Sequence, residues 1–350
     1  MGGSQGVTLA WEGKTSPAST GVAREPGEQW ATVDGRVRLL EGENLGVLRA
    51  LARTHAGKVT LAYLDPPFFT NREHAAWLKK TGAPRTERRR VPAFDDRWRD
   101  IAAWLDAMGG RLDAVRNLLA PHGSIVVHVD PKTSHYVKVL GDEIFGADAF
   151  ASEIVWRYRR WPSRTPNFQR VHDVLLRWRR DPDVAPRYQQ LYEPLASSTV
   201  ATWGKNKQRA VFAKDGRRAR SSSTDEETAG TPMGDVWDIG VIAPIAKERT
   251  GYPSQKPEAL LQRLLTALTA DGDLVLDPYA GSATTLAVAH RMNRRCIGID
   301  SSPVALDVAR ARFADAGAPL SASHTSDTSD YPEPSTGLSV AFRAVPRNTR

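Results

Sequence analysis

Val59-Thr60-Leu61-Ala62-Tyr63-Leu64-Asp65-Pro66-Pro67-Phe68-Phe69 is the stretch that decides the fold. Its short apolar run predicts a buried strand, and Asp-Pro-Pro stops that strand abruptly. Each proline fixes its own φ and drives the residue before it into an extended conformation. The product is a stiff, narrow loop at the carboxyl end of a strand, where open α/β sheets bind their ligands. A carboxylate and an aromatic ring are held there side by side.

That pairing suits chemistry on a nucleobase amine. Such an amine is a poor nucleophile because its lone pair is delocalised into the ring. Hydrogen bonds from its two N–H groups to the Asp65 carboxylate and the Pro66 carbonyl would localise the lone pair, while Phe68 stacks on the base. A strand ending in a proline turn, with an aspartate that caps a neighbour, is the plain alternative. One turn alone does not separate the two.

Outward from this loop, strands and helices alternate. Val37, Leu39 and Leu40 predict a strand, followed by a helix through Leu45, Leu48 and Leu51. Helical spacing recurs over 100–119, 135–144, 257–269 and 303–313, and strands are predicted at 124–130, 153–158, 173–178, 274–277 and 296–300. This alternation defines an α/β protein with a doubly wound, mostly parallel sheet and helices on both faces. Residues 70–100 make a polar, arginine-rich excursion, a candidate lid or nucleic-acid loop. Residues 181–235 break the pattern and read as an insertion. The predicted organisation is a mobile tail at 1–30, one half of the sheet domain at 31–180, the insertion, and the second half at 236–317. A mostly disordered tail follows at 318–350, with 338–345 a candidate extra strand.

The whole chain bounds the function classes. Its 350 residues are 41% hydrophobic and 25% charged, ordinary for a soluble globular protein. A single cysteine, Cys296, excludes an internal disulfide and a cysteine-based zinc cluster, and no metal is expected. No apolar run approaches a membrane span, and the start of the chain lacks a signal-peptide pattern, so the expectation is a cytoplasmic protein without a membrane partner. The net charge of +8 favours a polyanionic partner. Arginine clusters stand at 85–90, 157–164, 177–180 and 217–220. In the second, Trp156, Arg157, Tyr158, Arg159, Arg160 and Trp161 alternate cation and ring, giving phosphate contacts and stacking surfaces together. A solvated basic face explains any one cluster equally well; four favour nucleic acid.

A second motif lies far downstream. Leu274-Val275-Leu276-Asp277-Pro278-Tyr279-Ala280-Gly281-Ser282-Ala283-Thr284-Thr285 reads as strand, small-residue turn and helix start, and Cys296–Asp300 as a strand ending in an acid. This is the layout of a nucleoside-cofactor site, with Gly281 allowing close approach of the backbone and Asp300 placed for ribose hydroxyls. A dinucleotide also fits the turn, although a single glycine there suits a cofactor without a pyrophosphate.

Asp65-Pro66-Pro67-Phe68 followed by Asp277-Pro278-Tyr279-Ala280-Gly281-Ser282-Ala283-Thr284 resembles the S-adenosylmethionine-dependent DNA amino-methyltransferases. Catalytic motif first and cofactor motif last is the order of their β group. Leu40–Leu45, Gly123–Asp130, Glu153–Trp178 and Gly251–Pro257 are similar to further segments of that family, and 181–235 lies where it carries its target recognition region. The resemblance covers about residues 35–315 and implies a permuted, Rossmann-like methyltransferase fold. It implies transfer of a methyl group from S-adenosyl-L-methionine to the N6 of adenine in double-stranded DNA, since Asp at the first motif position goes mostly with adenine. Asp65, Pro66, Pro67 and Phe68 are then catalytic. Gly281, Ser282 and Thr284 face the methionine end of the cofactor, Asp300 its ribose, and Glu43 and Asn44 its adenine. Ser254, Gln255 and Lys256 secure its carboxylate, with Lys256 just as readily a surface residue, and Asp65, Asp277 and Tyr279 complete the set. Arg157, Arg159, Arg160, Trp161, Arg164, Arg217, Arg218 and Arg220 are the candidate DNA contacts.

The resemblance leaves open a homodimer and a cognate restriction endonuclease. Ala283 stands where the family has glycine, and a methyl group there would crowd the methionine end or shift the helix start. Cytosine-N4 methylation uses the same geometry, and a DNA-binding relative disabled at Ala283 is the non-enzyme alternative. Methylation of RNA or of protein amides fits less well, because those enzymes place the cofactor motif first.

Overall fold

The computed structural model describes residues 7–19, 21–79, 88–162, 164 and 166–323, with the backbone alone at 19, 79, 203, 207–211 and 218–225. Its strands up to the first crossover are β1 (Gln29–Ala31), β2 (Val37–Glu41) and β3 (Val59–Leu64). A hairpin, β4 (Glu73–Lys79) and β5 (Arg88–Asp95), precedes β6 (Leu119–Val129), β7 (Phe150–Arg157) and β8 (His172–Arg179). Next come β9 (Tyr192–Glu193), β10 (Asn206–Phe212), β11 (Arg218–Glu227), β12 (Thr231–Pro232) and β13 (Val236–Asp238). The last strands are β14 (Leu274–Asp277), β15 (Arg295–Asp300) and β16 (Ser321–Ala322). The helices are α1 (Asn44–His55), α2 (Ile101–Leu118), α3 (Ser134–Phe145), α4 (Ser197–Trp203), α5 (Glu258–Leu268), α6 (Thr284–Arg291) and α7 (Pro303–Asp315).

Ten strands form one sheet in the order β13-β7-β8-β6-β3-β14-β15-β2-β1-β16. The five central strands, β6 to β2, run parallel, while β8 and β1 are antiparallel to their neighbours. All six residues of β3 are buried. Leu61 and Tyr63 point into a core built with α5, α6 and α7, and Ala62 and Leu64 into a second core built with α1, α2 and α3. Covering both faces is why this strand shows no apolar–polar alternation.

The helices start where local chemistry directs. Asp100 caps α2 by accepting from the Ala103 N–H at 2.8 Å, and Ser302 caps α7 ahead of Pro303. Helix α5 turns Leu260, Leu261, Leu264, Leu265 and Leu268 onto the sheet. Each such buried leucine contributes about 2 kcal/mol relative to exposure. Among the described residues no helix is long and apolar enough to cross a membrane.

Strand order places the site. From β3 the chain moves outward to β6, and it returns later to β14 on the other side of β3, so the order reverses between β3 and β14. Their parallel pairing, Leu61 with Val275 and Ala62 with Leu276, brings the loops after Leu64 and after Asp277 to the same end of the sheet, side by side.

Within the expected tail at 1–30, the described residues 7–19 and 21–30 include ordered contacts to the core. Leu9 and Trp11 pack against the core of α1, α2 and α3, and the Thr15 N–H and hydroxyl both bond Asp106 of α2. Lys14 pairs with Glu143 of α3 at 2.5 Å, and Arg49 donates to the Pro17 carbonyl. Two apolar anchors and a few polar clamps order a segment whose composition carries no periodic signal. The excursion at 70–100 contains the β4–β5 hairpin, with 80–87 outside the described residues. Within 181–235, β10 pairs with β11 and β9 with β12, and none of them joins the large sheet. Residues 324–350, including the candidate strand at 338–345, lie outside the described residues.

Candidate active site

The Asp65-Pro66-Pro67-Phe68 loop is braced from three sides. The Trp104 indole N–H on α2 donates to the Pro67 carbonyl at 2.9 Å. Fully buried Asp96 accepts from the backbone N–H groups of Phe69 and Thr70, at 3.2 and 2.7 Å, from the Thr70 hydroxyl and from the Trp98 indole. Those bonds hold Phe69 at φ of 56°, a left-handed conformation that costs about 1 kcal/mol or more for such a side chain. Beneath the loop, the His128 ring lies 5.7 Å from the Phe68 ring. Burial, first, and the Lys256 charge push His128 toward its neutral form. The Tyr63 hydroxyl then donates to Nδ1 at 2.7 Å, and the Nε2–H points to Asp173 at 3.3 Å. Burial works to raise the Asp173 carboxyl, but the bonds from His128 and from the Tyr158 hydroxyl, the latter 2.9 Å, bring it below the ordinary range.

Lys256 departs from its expected place. Its ammonium lies 2.6 Å from each oxygen of Asp65 and 3.3 Å from the Ser254 carbonyl, and only 8% of the residue is exposed. It therefore binds the Asp65 carboxylate, where the resemblance assigned it to the cofactor. Gln255 departs too. Its Oε1 accepts from the Thr250 N–H and hydroxyl, and its Nε2 donates to the Glu248 carbonyl, so the amide is committed to its own loop. Ser254, just before Gln255 and Lys256, bends the backbone at φ of 59°.

On the neighbouring strand, Asp277 accepts from the Tyr279 N–H at 3.0 Å. Burial raises its carboxyl to about 7, opposed by its hydrogen bonds and aided by the charges of Asp65 and Asp300. Gly281 takes φ of 50°, and a Cβ there would come within 3.2 Å of the Tyr252 ring. Its N–H donates to Asp300 at 2.8 Å, and the Ser302 N–H donates to the other Asp300 oxygen at 2.9 Å. Asp300 is nonetheless raised by burial, against those backbone bonds. Ala283 stands at φ 55°, ψ 34°, the conformation glycine takes most readily, with Thr284 beginning α6 directly after it. Its methyl is fully buried in the core with Leu286 and Ala280, and Ala283 is not among the residues that line the cleft.

A third group closes the far end. Glu43 caps α1 by accepting from the Leu45 and Gly46 N–H groups and pairs with Arg111. Asn44 donates to the Pro278 carbonyl at 2.9 Å and accepts from Arg111, tying the α1 start to the second motif. These elements enclose a cleft of about 720 Å³. Asp65, Pro66, Pro67, Phe68, Glu43, Asn44, Ser254, Gln255, Lys256, Asp277, Tyr279, Gly281, Ser282, Thr284 and Asp300 all line it.

The arginine candidates stand apart from the cleft. Arg157 pairs with Asp238 at 2.7 Å, and Arg160 lies over the Tyr158 ring. Arg159 and Arg164 are exposed, and Trp161 is 91% exposed. Arg217 is exposed beside Asp215 on the β10–β11 turn, while the side chains of Arg218 and Arg220 lie outside the described residues. Sequence reasoning missed Asp96, Trp104, Arg111 and Tyr252, all of which line the cleft. Only Tyr252 carried a signal, its place beside Gly251 in a segment already singled out.

The residues fit S-adenosylmethionine. The glycine turn leaves room that a Cβ would fill, an acid ends each of two adjacent strands, and the cleft runs on to Asp65. Fold and site together define a Rossmann-like methyltransferase. Residues 59–311 match the N6_N4_Mtase family model, described as DNA methylase. Over 268 residues the chain is 24% identical to the type II methyltransferase M.HpaI of Haemophilus parainfluenzae, covering 76% of this chain and 71% of that one. It is 49% identical over 67 residues to the DNA adenine methyltransferase YhdJ of Escherichia coli (strain K12), covering 19% of this chain and 23% of that one. Among solved structures it is similar to PvuII DNA methyltransferase (cytosine-N4-specific), with TM-score 0.53 at 16% identity over 83% of this chain and 90% of that one. The chain belongs to the N6-adenine/N4-cytosine DNA methyltransferases, S-adenosylmethionine-dependent enzymes of the restriction-modification kind.

Proposed function

We propose that the chain methylates the exocyclic N6 of adenine in double-stranded DNA at a specific sequence. The observation that carries this is the parallel pairing of β3 with β14, which sets the Asp65 carboxylate and the Gly281–Asp300 turn in one cleft. The Asp65 side chain and the Pro66 carbonyl accept the two N–H groups of the target amine and localise its lone pair. Phe68 stacks on the base, which must leave the duplex at an unstacking cost of a few kcal/mol. The bound cofactor supplies an electrophilic methyl group on a sulfonium. Asp300 would hold its ribose, Glu43 and Asn44 its adenine, and Gly281, Ser282 and Thr284 the methionine end. Because the Asp65 loop is braced by Trp104 and Asp96, the acceptors are pre-positioned, and positioning carries most of the rate.

Adenine is favoured by aspartate at the first motif position and by the short segment shared with an adenine methyltransferase. Residues 181–235, with the Trp156–Arg164 segment, choose the sequence, and Arg217, Arg218 and Arg220 contact phosphates. A homodimer and an endonuclease of matching specificity belong to the same proposal. DNA from cells expressing the chain, digested to nucleosides and read by mass spectrometry, is expected to contain N6-methyladenine, and Asp65→Ala is expected to abolish it. N4-methylcytosine in its place would overturn the adenine assignment and keep the mechanism.

A further inference from the structure

We propose that Lys256 couples cofactor binding to the catalytic carboxylate. In the free protein Asp65 holds its ammonium, and on cofactor binding the ammonium transfers to the cofactor's carboxylate, releasing Asp65 to accept the target amine. The exchange rests on Asp65 being that acceptor.

Lys256 covers both features the target base needs. Its ammonium lies 2.6 Å from each Asp65 oxygen and 4.9 Å from the centre of the Phe68 ring. A charge-assisted bond of this kind is roughly twice as strong as one from a neutral amine N–H, so a base entering the cleft cannot displace the ammonium by competition alone. A second anion that attracts Lys256 is needed.

The cleft offers that anion no comparable cation. Of the described lining residues, Lys256 and Arg111 carry full positive charge, since burial pushes His74 toward its neutral form. Arg111 is held at the other end by Glu43 and Asn44. The Gln255 amide, next to Lys256, is committed to Thr250 and Glu248. Two carboxylates, that of Asp65 and that of the cofactor, thus share one ammonium. The lysine stem has four rotatable bonds, so the ammonium can change partner without backbone rearrangement.

Calorimetry without DNA tests this, using S-adenosylhomocysteine, which bears the carboxylate, and 5′-methylthioadenosine, which lacks the amino-acid part. Asp65→Asn removes the competitor and is expected to tighten S-adenosylhomocysteine roughly tenfold, the scale of one charge-assisted hydrogen bond, while methylthioadenosine is unchanged. Lys256→Met is expected to weaken S-adenosylhomocysteine by a similar factor, with Lys256→Arg restoring part of the loss. In the Asp65→Asn/Lys256→Met double variant, which leaves no buried charge unpaired, the gain from Asp65→Asn should vanish. If Asp65→Asn leaves S-adenosylhomocysteine unchanged or weaker, or Lys256→Met leaves it unchanged, the exchange is wrong even where Asp65→Ala has abolished methylation. Failure of the folded wild-type chain to bind either nucleoside would overturn the cofactor site and the exchange together.

Discussion

Ala283→Gly separates two accounts of the position where this chain departs from its family's glycine. The left-handed φ of 55° and ψ of 34° cost an L-residue about 1–2 kcal/mol, which glycine would recover. Against this, the methyl is fully buried, and removing it forfeits about 0.8 kcal/mol of burial. Glycine also loosens the unfolded chain, at about 0.4–1 kcal/mol. The contributions nearly cancel, so thermal unfolding is expected to shift by no more than a few degrees for a domain of this size. Since the methyl points into the core and not into the cleft, cofactor affinity by calorimetry should change by less than about threefold, under 0.7 kcal/mol. A tenfold gain in affinity with unchanged stability would refute this, because it would mean the methyl does meet the cofactor.

Gly281→Ala should behave oppositely, since its Cβ would meet the Tyr252 ring at 3.2 Å at φ of 50°; cofactor binding is expected to weaken about tenfold or more, with lower thermal stability. Asp277 has its folded pKa raised to about 7 from an ordinary carboxyl value near 4, so the folded state binds the extra proton. The stability this contributes is fully present below about pH 4 and is lost as pH rises through about 7. In Asp277→Asn, denaturant unfolding at pH 5 and pH 8 should differ less than in the wild type, and an unchanged difference would contradict the assignment. Asp96→Ala removes four acceptor contacts, three of them to Phe69 and Thr70 of the Asp65 loop, and is expected to lower kcat at least tenfold with cofactor affinity nearly unchanged, read by methyl-transfer kinetics.

Much of the fold was legible because its signals are local. The apolar run ending in Asp65-Pro66-Pro67, the glycine turn at 281 and the acid at 300 each announce a strand end, and the leucine spacing of α5 a buried face. The ordered segment at 9–17 was not legible, because it holds its place by single contacts to Asp106, Glu143 and Arg49 and not by a repeating pattern. Asp96 follows an arginine-rich stretch and reads as surface; only the fold turns it under the Asp65 loop. Lys256 lies 191 residues from Asp65, and nothing in its sequence neighbours distinguishes a lysine directed at a ligand from one directed at a carboxylate.

Three acids, Asp65, Asp277 and Asp300, line one cleft, and each is stabilised differently. Asp277 is the deepest and gains a proton as pH falls below about 7, so its role is to set the turn through the Tyr279 N–H. Asp300 receives one backbone N–H on each oxygen and retains further lone pairs toward the cleft, which suits a hydroxyl donor such as a ribose. Asp65 alone is balanced by a side-chain cation, the Lys256 ammonium. A carboxylate fixed by backbone cannot change its availability, and one held by protonation accepts weakly. Of the three, only Asp65 can be switched between a closed pair and a free acceptor without disturbing the sheet, and it is the one beside the ring on which a base would stack.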